Sequence, residues 1–264
     1  KIMVPMKHDE TADTLVSIAV MMRNRELNRG IVALNVVYDD TNRLKYQERG
    51  RRLLEHAVKT AGGSGVMVQT QVRIATNIIN GIKHAFKEYN ASEIVMGMHN
   101  GDEEAGMFWG EFIPGLFSGL NRQITIARCL RPLNTIRRIQ VAVPSRAEFE
   151  PGFHRWLERL ARMAENLECR IQFHAKHETL SLINQYVQNR HPNVRAEYTY
   201  MAHWIDMPKL AGGVNDDHLF VVVTARKGTI SYKSALERLP EELTRHFSGK
   251  SLMIIFPDQY GEPV

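Results

Sequence analysis

Apolar runs alternate with amphipathic segments along the first half of this 264-residue chain. The run at residues 31–37 is nearly continuous, as expected of a strand covered on both faces of a sheet. Helical periodicity predicts helices at residues 11–29, 43–61, 78–89 and 108–121, each lying between two strands. This alternation predicts a doubly wound, five-stranded parallel α/β sheet with right-handed crossovers.

The second half repeats this pattern. Both halves open on a strand that ends in Val-Pro, and five strands again alternate with helices. The predicted strands are residues 136–143, 169–173, 194–200, 219–224 and 251–256, and the predicted helices are residues 153–167, 179–189, 204–211 and 232–247. The repeat indicates an internal duplication, with domains at residues 1–132 and 133–264 that pack as a pseudo-dimer.

Composition narrows the class of protein. Hydrophobic residues make up 44% and charged residues 24%, and the net charge is +5, which is typical of a soluble globular protein with a mixed surface. No apolar run approaches the roughly 20 residues that span a bilayer. Cys129 and Cys169 are predicted to be buried free thiols, which fits a reducing compartment. Because the chain starts at Lys1 and not at Met, we expect a fragment excised from a longer protein.

Candidate chemistry lies after the fourth predicted strand, between residues 91 and 129. Gly97 ends that strand, and Gly110 lies near the start of the next helix. A strand, a glycine turn and a helix start in this order suit an anion that is held by backbone N–H groups at the helix N-terminus. Lys7 follows the first predicted strand and is a further candidate ligand-binding residue.

These residues give each half a resemblance to a universal stress protein domain. Nucleotide-binding members of that family carry Gly, two residues, Gly, nine residues, and then Gly followed by Ser or Thr. In this chain Gly97 and Gly110 take the first and third positions, Asn100 replaces the second glycine with Gly101 beside it, and Glu111 replaces the hydroxyl residue. The resemblance implies an ATP or AMP site at these positions.

The residues that replace the family's signature affect whether ATP could bind. Asn tolerates the left-handed conformation better than most residues, so Asn100 or Gly101 could keep the turn. Glu111 and the acids at residues 102–104 add like charges that oppose a triphosphate. Lys7 stands where ATP-binding members usually have Asp. Three interpretations stay open: ATP bound in the family's manner, another adenine nucleotide or small ligand in the same crevice, or a purely structural loop.

The second half has no glycine signature. After its fourth strand, Arg226, the Gly228 amide and neighbouring residues could hold an isolated anion at a helix start. The alternative is a basic exposed turn in which Ser231 caps the helix. No zinc spacing, nucleophile elbow or Walker loop occurs, so we predict neither a metal site nor an enzyme.

The tandem arrangement also resembles the C-terminal cytosolic region of monovalent cation/proton antiporters. That resemblance implies a non-catalytic regulatory module at the cytoplasmic face of the inner membrane. Its partners would be the membrane transport domain of the same polypeptide and a second copy of the chain, with no nucleic acid. Two alternatives stay open. One is a free-standing cytoplasmic stress protein that binds ATP. The other is a scaffold that dimerises through edge strands at residues 124–129 or 251–256.

Overall fold

The computed structural model describes residues 1–26, 30–98 and 107–261, and these residues confirm the α/β class. The chain divides into two compact units, Lys1–Ile124 and Thr125–Val264. The division falls inside a strand, and the predicted domain boundary after residue 132 stays a prediction. Within the described residues, no helix combines the length and apolar character needed to cross a membrane.

The strands of the first unit follow the order β3-β2-β1-β4-β5, and those with a described register run parallel. Register is set by the pairs Ile2–Ile31, Ile2–Glu93 and Ile31–Val68. The strands are β1 (Ile2–Pro5), β2 (Ile31–Tyr38), β3 (Val68–Ala75), β4 (Glu93–Gly97) and β5 (Gln123–Arg128). The helices are α1 (Asp9–Met22), α2 (Arg43–Gly62), α3 (Ile78–Glu88), a π-helical turn at Phe108–Phe112 and α4 (Ile113–Phe117).

The second unit repeats this strand order as β8-β7-β6-β9-β10, so the tandem doubly wound fold is confirmed. Its paired strands, like those of the first unit with a described register, run parallel. The strands are β6 (Arg138–Ala142), β7 (Arg170–Ala175), β8 (Ala196–Tyr200), β9 (His218–Val223) and β10 (Ser251–Phe256). The α-helices are α5 (Phe153–Leu167), α6 (His177–Arg190) and α7 (Leu239–His246), and the longer 3₁₀ segments are Trp204–Gly213 and Ser234–Arg238.

Three predicted helices are shorter than the periodicity indicated. The first ends at Met22, because Arg23 already has extended backbone angles. The helix predicted at residues 108–121 is a π-helical turn followed by the five residues of α4. In the last helix, Pro240 fits only the first turn, so α7 begins at Leu239 and a 3₁₀ turn precedes it.

The edge strands assumed for a dimerisation scaffold were wrong. The second unit includes residues 125–128 of β5, which lie beside β10, so neither strand is an edge. The Arg128 guanidinium donates to the carbonyls of Phe247, Ser248 and Lys250 at 3.1, 3.2 and 3.1 Å. The error arose because a buried strand at the edge of a sheet and a buried strand in its middle have the same apolar sequence pattern.

Both cysteines have free thiols, with Cys169 buried and Cys129 half-buried. Burial raises the pKa of each thiol to about 11. Because the thiolate is the reactive form, neither residue is a nucleophile near neutral pH. The prediction of free thiols is confirmed.

A buried ionic cluster joins the end of α6 to α5. His191 places Nδ1 2.6 Å from a Glu165 oxygen and Nε2 2.7 Å from a Glu158 oxygen. Tyr186 also donates to Glu158, and the Arg162 Nε lies 2.7 Å from the Glu158 Oε1. Since both ring nitrogens face carboxylates, both donate and the ring is an imidazolium.

The cluster shifts the pKa of its members in opposite directions. Burial alone would raise the pKa of Glu158, but hydrogen bonds from His191 and Tyr186 and the nearby positive charges lower it to about 2. Burial alone would lower the pKa of His191, but its bonds to Glu158 and Glu165 raise it above 6.5. A histidine with a raised pKa stabilises the folded state fully below 6.5, and this contribution is lost as the pH rises through the folded-state pKa.

We therefore expect the thermal unfolding midpoint to fall as the pH rises above 6.5 and through the folded-state pKa of His191, where the imidazolium loses its proton. His191→Gln should destabilise the protein by about 3 kcal/mol at pH 6, because it breaks a buried pair, and should flatten this pH dependence. Calorimetry of the two proteins across this range measures both effects. His203→Gln, at an exposed position, is the control. An unchanged slope in His191→Gln would contradict this role for His191.

Candidate functional site

The strand order of the first unit reverses between β1 and β4, which is where doubly wound sheets bind ligands. β1 and β4 are parallel neighbours, so their carboxyl ends lie at one edge of the sheet. Gly97 is the last residue of β4, and Lys7 follows β1 after Met6. The structure thus brings Lys7 and Gly97 to the same edge of the sheet.

Asn35 of β2 holds the loop that carries Lys7. Its Nδ2 donates to the Met6 carbonyl at 2.8 Å, and the Met6 N–H donates to the Leu34 carbonyl at 2.9 Å. The side chain is buried, which is unusual for a polar residue in an otherwise apolar strand. Gly50 of α2 makes room for Asn35, because a Cβ on Gly50 would lie 2.5 Å from the Asn35 Oδ1. Sequence reasoning missed Asn35, although a single polar residue in a buried strand was a readable signal.

Local packing does not require the two signature glycines. A Cβ on Gly97 would make an ordinary contact of 3.6 Å with Leu15, and its φ is not in the left-handed region. Gly110 lies in the π-helical turn, and a Cβ there would meet no atom of the described residues within 4 Å. The described residues therefore leave room for a Cβ at both positions.

Other predicted features lie outside the described residues, namely Asn100, Gly101 and the acids at residues 102–104. Glu111 is described and is exposed in the π-helical turn. Asp9 and Glu10 occupy the first turn of α1, which three residues separate from the end of β1 at the same edge. Sequence reasoning did not count these two acids against a phosphate. They add to the negative charge that opposes a triphosphate there.

The corresponding position in the second unit, where β6 lies between β7 and β9, is filled by the chain itself. Loops after β6, β9 and β10 and the start of α5 bring together charged side chains that are all at most 6% exposed. The members of this buried charge cluster are Glu150, Arg155, Arg226 and Asp258. Of these, sequence reasoning singled out Arg226 alone, since nothing in the spacing of the others signals that they meet.

Pairing within the buried charge cluster compensates for the loss of water. Arg155 Nε lies 3.8 Å from Asp258 Oδ2, and the Tyr260 N–H donates to the same oxygen at 3.2 Å. Burial lowers the pKa of Arg226 to about 10, against the opposing effect of Asp258 and Glu150. Two arginines and two carboxylates thus share one interior site, where removing one partner would leave another charge uncompensated.

Glu150 occupies the place where the sequence predicted an isolated anion. One of its oxygens accepts from the Ser231 N–H at 2.9 Å and from the Ser231 hydroxyl at 2.6 Å. Arg226 is buried, whereas Lys227 is exposed and pairs with Glu237 at 3.8 Å, and Gly228 is exposed with a φ of 87°. An internal carboxylate therefore uses Ser231, and a ligand role for Arg226 and Gly228 stays a prediction.

Comparison with known proteins identifies the fold. No protein-family model matches the chain, and no curated protein matches it significantly. A universal stress protein from Archaeoglobus fulgidus matches 98% of this chain and 96% of its own length, with a TM-score of 0.61 and 11% identity. The cytoplasmic domain of a prokaryotic cation chloride cotransporter matches 100% of this chain and 96% of its own length, with a TM-score of 0.61 and 12% identity. A protein of unknown function from Pseudomonas aeruginosa matches 97% of this chain and 92% of its own length, with a TM-score of 0.58 and 13% identity.

The chain has the universal stress protein fold. This result confirms the predicted resemblance for the whole chain and agrees with the strand order repeated in its two halves. At these low identities the matches show the fold alone. Function depends on the particular residues that the fold carries.

Within this fold, Gly152 lets the second unit close around the buried charge cluster. It immediately precedes α5, and a Cβ at this position would lie 2.3 Å from the carbonyl oxygen and 2.6 Å from the nitrogen of Asp258. Both are backbone atoms, which cannot rotate away as a flexible side chain can. The start of α5 and the segment after β10 therefore touch backbone to backbone.

We expect Gly152→Ala to destabilise the second unit by about 2 kcal/mol, because the added methyl group forces backbone apart in a well-packed region. Gly249→Ala is the matched control, since a Cβ there meets no atom of the described residues within 4 Å. It should be neutral or slightly stabilising. Urea unfolding of both variants measures the difference. Equal stability in the two variants would contradict the close contact.

Proposed function

We propose that this chain is a non-catalytic cytosolic regulatory module of a membrane cation transporter. The observation that carries the proposal is the match of the whole chain to the cytoplasmic domain of a cation chloride cotransporter. The resemblance in the sequence is to monovalent cation/proton antiporters, so the proposed class is a cation transporter, with an antiporter as the more specific case. In this role the chain would act on a membrane domain of the same polypeptide at the cytoplasmic face of the membrane.

Such a module works by binding unequally to two states of the membrane domain. A ligand or a second copy of the chain shifts the transporter only to the extent that it prefers one of those states. No catalytic group is needed for this mechanism. The exposed acids of the first unit and the filled site of the second both favour a role other than nucleotide hydrolysis.

The ligand that we propose for the first unit is an adenine nucleotide, such as AMP or ATP, or another small anion. It would lie at the carboxyl ends of β1 and β4, with Gly97 and Gly110 allowing close backbone approach and Lys7 supplying positive charge. The acids Asp9, Glu10 and Glu111 favour a ligand with fewer charges than a triphosphate. AMP is therefore the better candidate of the two nucleotides.

A free-standing universal stress protein that binds ATP is the second candidate. The equally extensive match to the protein from Archaeoglobus fulgidus favours it. The two candidates differ in what the gene encodes before Lys1. The transporter proposal requires about ten or more spanning segments in the same reading frame. A start codon directly before Lys1 would reject the transporter and favour the stress protein.

The regulatory role itself is measurable in the parent transporter. We expect deletion of this chain to change the rate of ion transport in reconstituted vesicles, or its dependence on AMP, because the membrane domain would lose the bias that the module supplies. Transport that keeps its rate and its response to AMP after the deletion would contradict regulation.

For the ligand site, we expect titration calorimetry to show saturable binding of AMP, and Gly97→Val to weaken that binding by at least about tenfold by blocking backbone approach. The fold should tolerate the substitution, because a Cβ at Gly97 makes only an ordinary contact with Leu15. Gly63→Ala, after the end of α2, is the control and should bind as the unmodified chain does. Undiminished affinity in Gly97→Val would move the site elsewhere.

A further inference from the structure

A polar cavity of about 370 Å³ lies in the second unit, over β6, β7 and β9 and beside the 3₁₀ segment Trp204–Gly213. Its volume falls within the range of small-molecule sites. The polar residues that line it are Arg138, Gln140, Gln172, His174, Lys209 and His218. None of them belongs to the buried charge cluster or to the carboxyl-end site of the first unit.

Alternating polar residues on the strands create this cavity. In β6, Arg138 and Gln140 share one face, while Ile139 and Val141 are fully buried on the other. Strands of a doubly wound parallel sheet are normally apolar on both faces, so this alternation is an exception. The chain also covers this face of the sheet less completely. The crossover from β8 to β9 is a 3₁₀ segment, whereas the first unit uses the helix α3 after β3.

A chain of hydrogen bonds orients the buried polar groups. The Gln140 amide nitrogen donates to the Gly213 carbonyl at 2.8 Å, which fixes the orientation of the amide. The Gln140 oxygen then accepts from His174 Nε2 at 3.0 Å. The second amide hydrogen points to His218 Nδ1, also at 3.0 Å. Both histidines are therefore neutral tautomers with a proton on Nε2.

This arrangement leaves one buried acceptor without a partner. His174 is 4% exposed, and its Nδ1 has no hydrogen-bond partner among the described residues. Burial lowers the pKa of His174 to about 4, so Nδ1 carries a lone pair at neutral pH. An unpaired buried acceptor is costly, and a ligand O–H or N–H would satisfy it.

The charges around the cavity favour an anion. Arg138 and Arg170 share one carboxylate, Glu197, at 2.8 and 3.1 Å, which leaves an excess positive charge on this face. Lys209 stands exposed at the cavity and pairs with Asp206 at 3.1 Å. No acidic side chain occurs among the described residues that line the cavity. Asp217 lies just outside it, with Oδ1 3.6 Å from the His218 Nε2, and the positive charge of Lys250 near His218 offsets it.

We propose that this cavity binds a small oxyanion that also carries a hydroxyl group, such as hydrogenphosphate or a hydroxycarboxylate. Arg138 and Lys209 supply the positive charge, the His218 Nε2–H is a donor, and His174 Nδ1 accepts from the hydroxyl of the ligand. The site is independent of the regulatory role proposed above. It would be a second ligand site, formed where the two halves of the chain differ in their crossovers.

Titration calorimetry of the whole chain at constant ionic strength tests the site, with inorganic phosphate at a pH where hydrogenphosphate predominates. Sulfate is the matched ligand, because it has similar size but no O–H to donate. We expect phosphate to bind saturably and about tenfold more tightly than sulfate, the factor for one hydrogen bond to a buried acceptor. A parallel titration with citrate tests for a carboxylate ligand in place of a phosphate. Saturable binding of phosphate or of citrate supports the site.

Matched variants locate the binding. Lys209→Gln should weaken binding several-fold. Arg138→Gln should weaken it about tenfold, because the guanidinium is less exposed than the Lys209 ammonium. Lys227→Gln removes the same charge from an exposed lysine that does not line the cavity, and it should leave the affinity unchanged.

Leu210→Trp fills the cavity without changing any charge and should abolish binding, while Ile205→Trp, at an exposed position on the same 3₁₀ segment, should not. Three results would overturn the proposal: no saturable binding of phosphate or citrate, equal weakening by Lys227→Gln, or full affinity in Leu210→Trp. None of them bears on the Gly97 site, because that test uses AMP and the first unit.

Discussion

Parallel strands that are covered on both faces leave few places where a polar side chain can stay, and this constraint shapes both halves of the chain. Each unit uses the same strand order, and most interior positions are apolar. A buried polar group is tolerated only where it finds partners. Polar residues in the interior therefore mark places where the fold serves something besides packing.

The two units meet this constraint differently at the same topological position. In the first unit the carboxyl ends of β1 and β4 carry a small residue, Gly97, with exposed charges around them. In the second unit the same position is closed by the buried charge cluster, in which Glu150 takes the hydrogen bonds of Ser231. The first unit thus has exposed charged residues at this position, and the second unit has a buried ionic network there.

Local patterns predicted much of this fold, and long-range contacts account for what they missed. The helix at residues 153–167 was predicted with its correct ends, because its apolar face is strongly periodic. Lys7 and Gly97 were named as candidates from their places after the first and at the end of the fourth predicted strand, and the structure shows that β1 and β4 are neighbours. The partners Glu150 and Ser231 lie 81 positions apart, and no local pattern encodes that pairing. The polar cavity depends on which face each strand presents, and this follows from register and cover, which periodicity does not give.

The contact between Gly152 and Asp258 has a consequence for how this chain can change over evolutionary time. The obstacle to a larger residue at position 152 is the backbone of Asp258, so no substitution at position 258 can relieve it. Most packed pairs can drift together, one residue shrinking as the other grows. Here only residue 152 contributes a side chain to the contact, because its partner is backbone. Glycine at this position is therefore expected to be invariant among close relatives, without any correlated change at the residue that it touches.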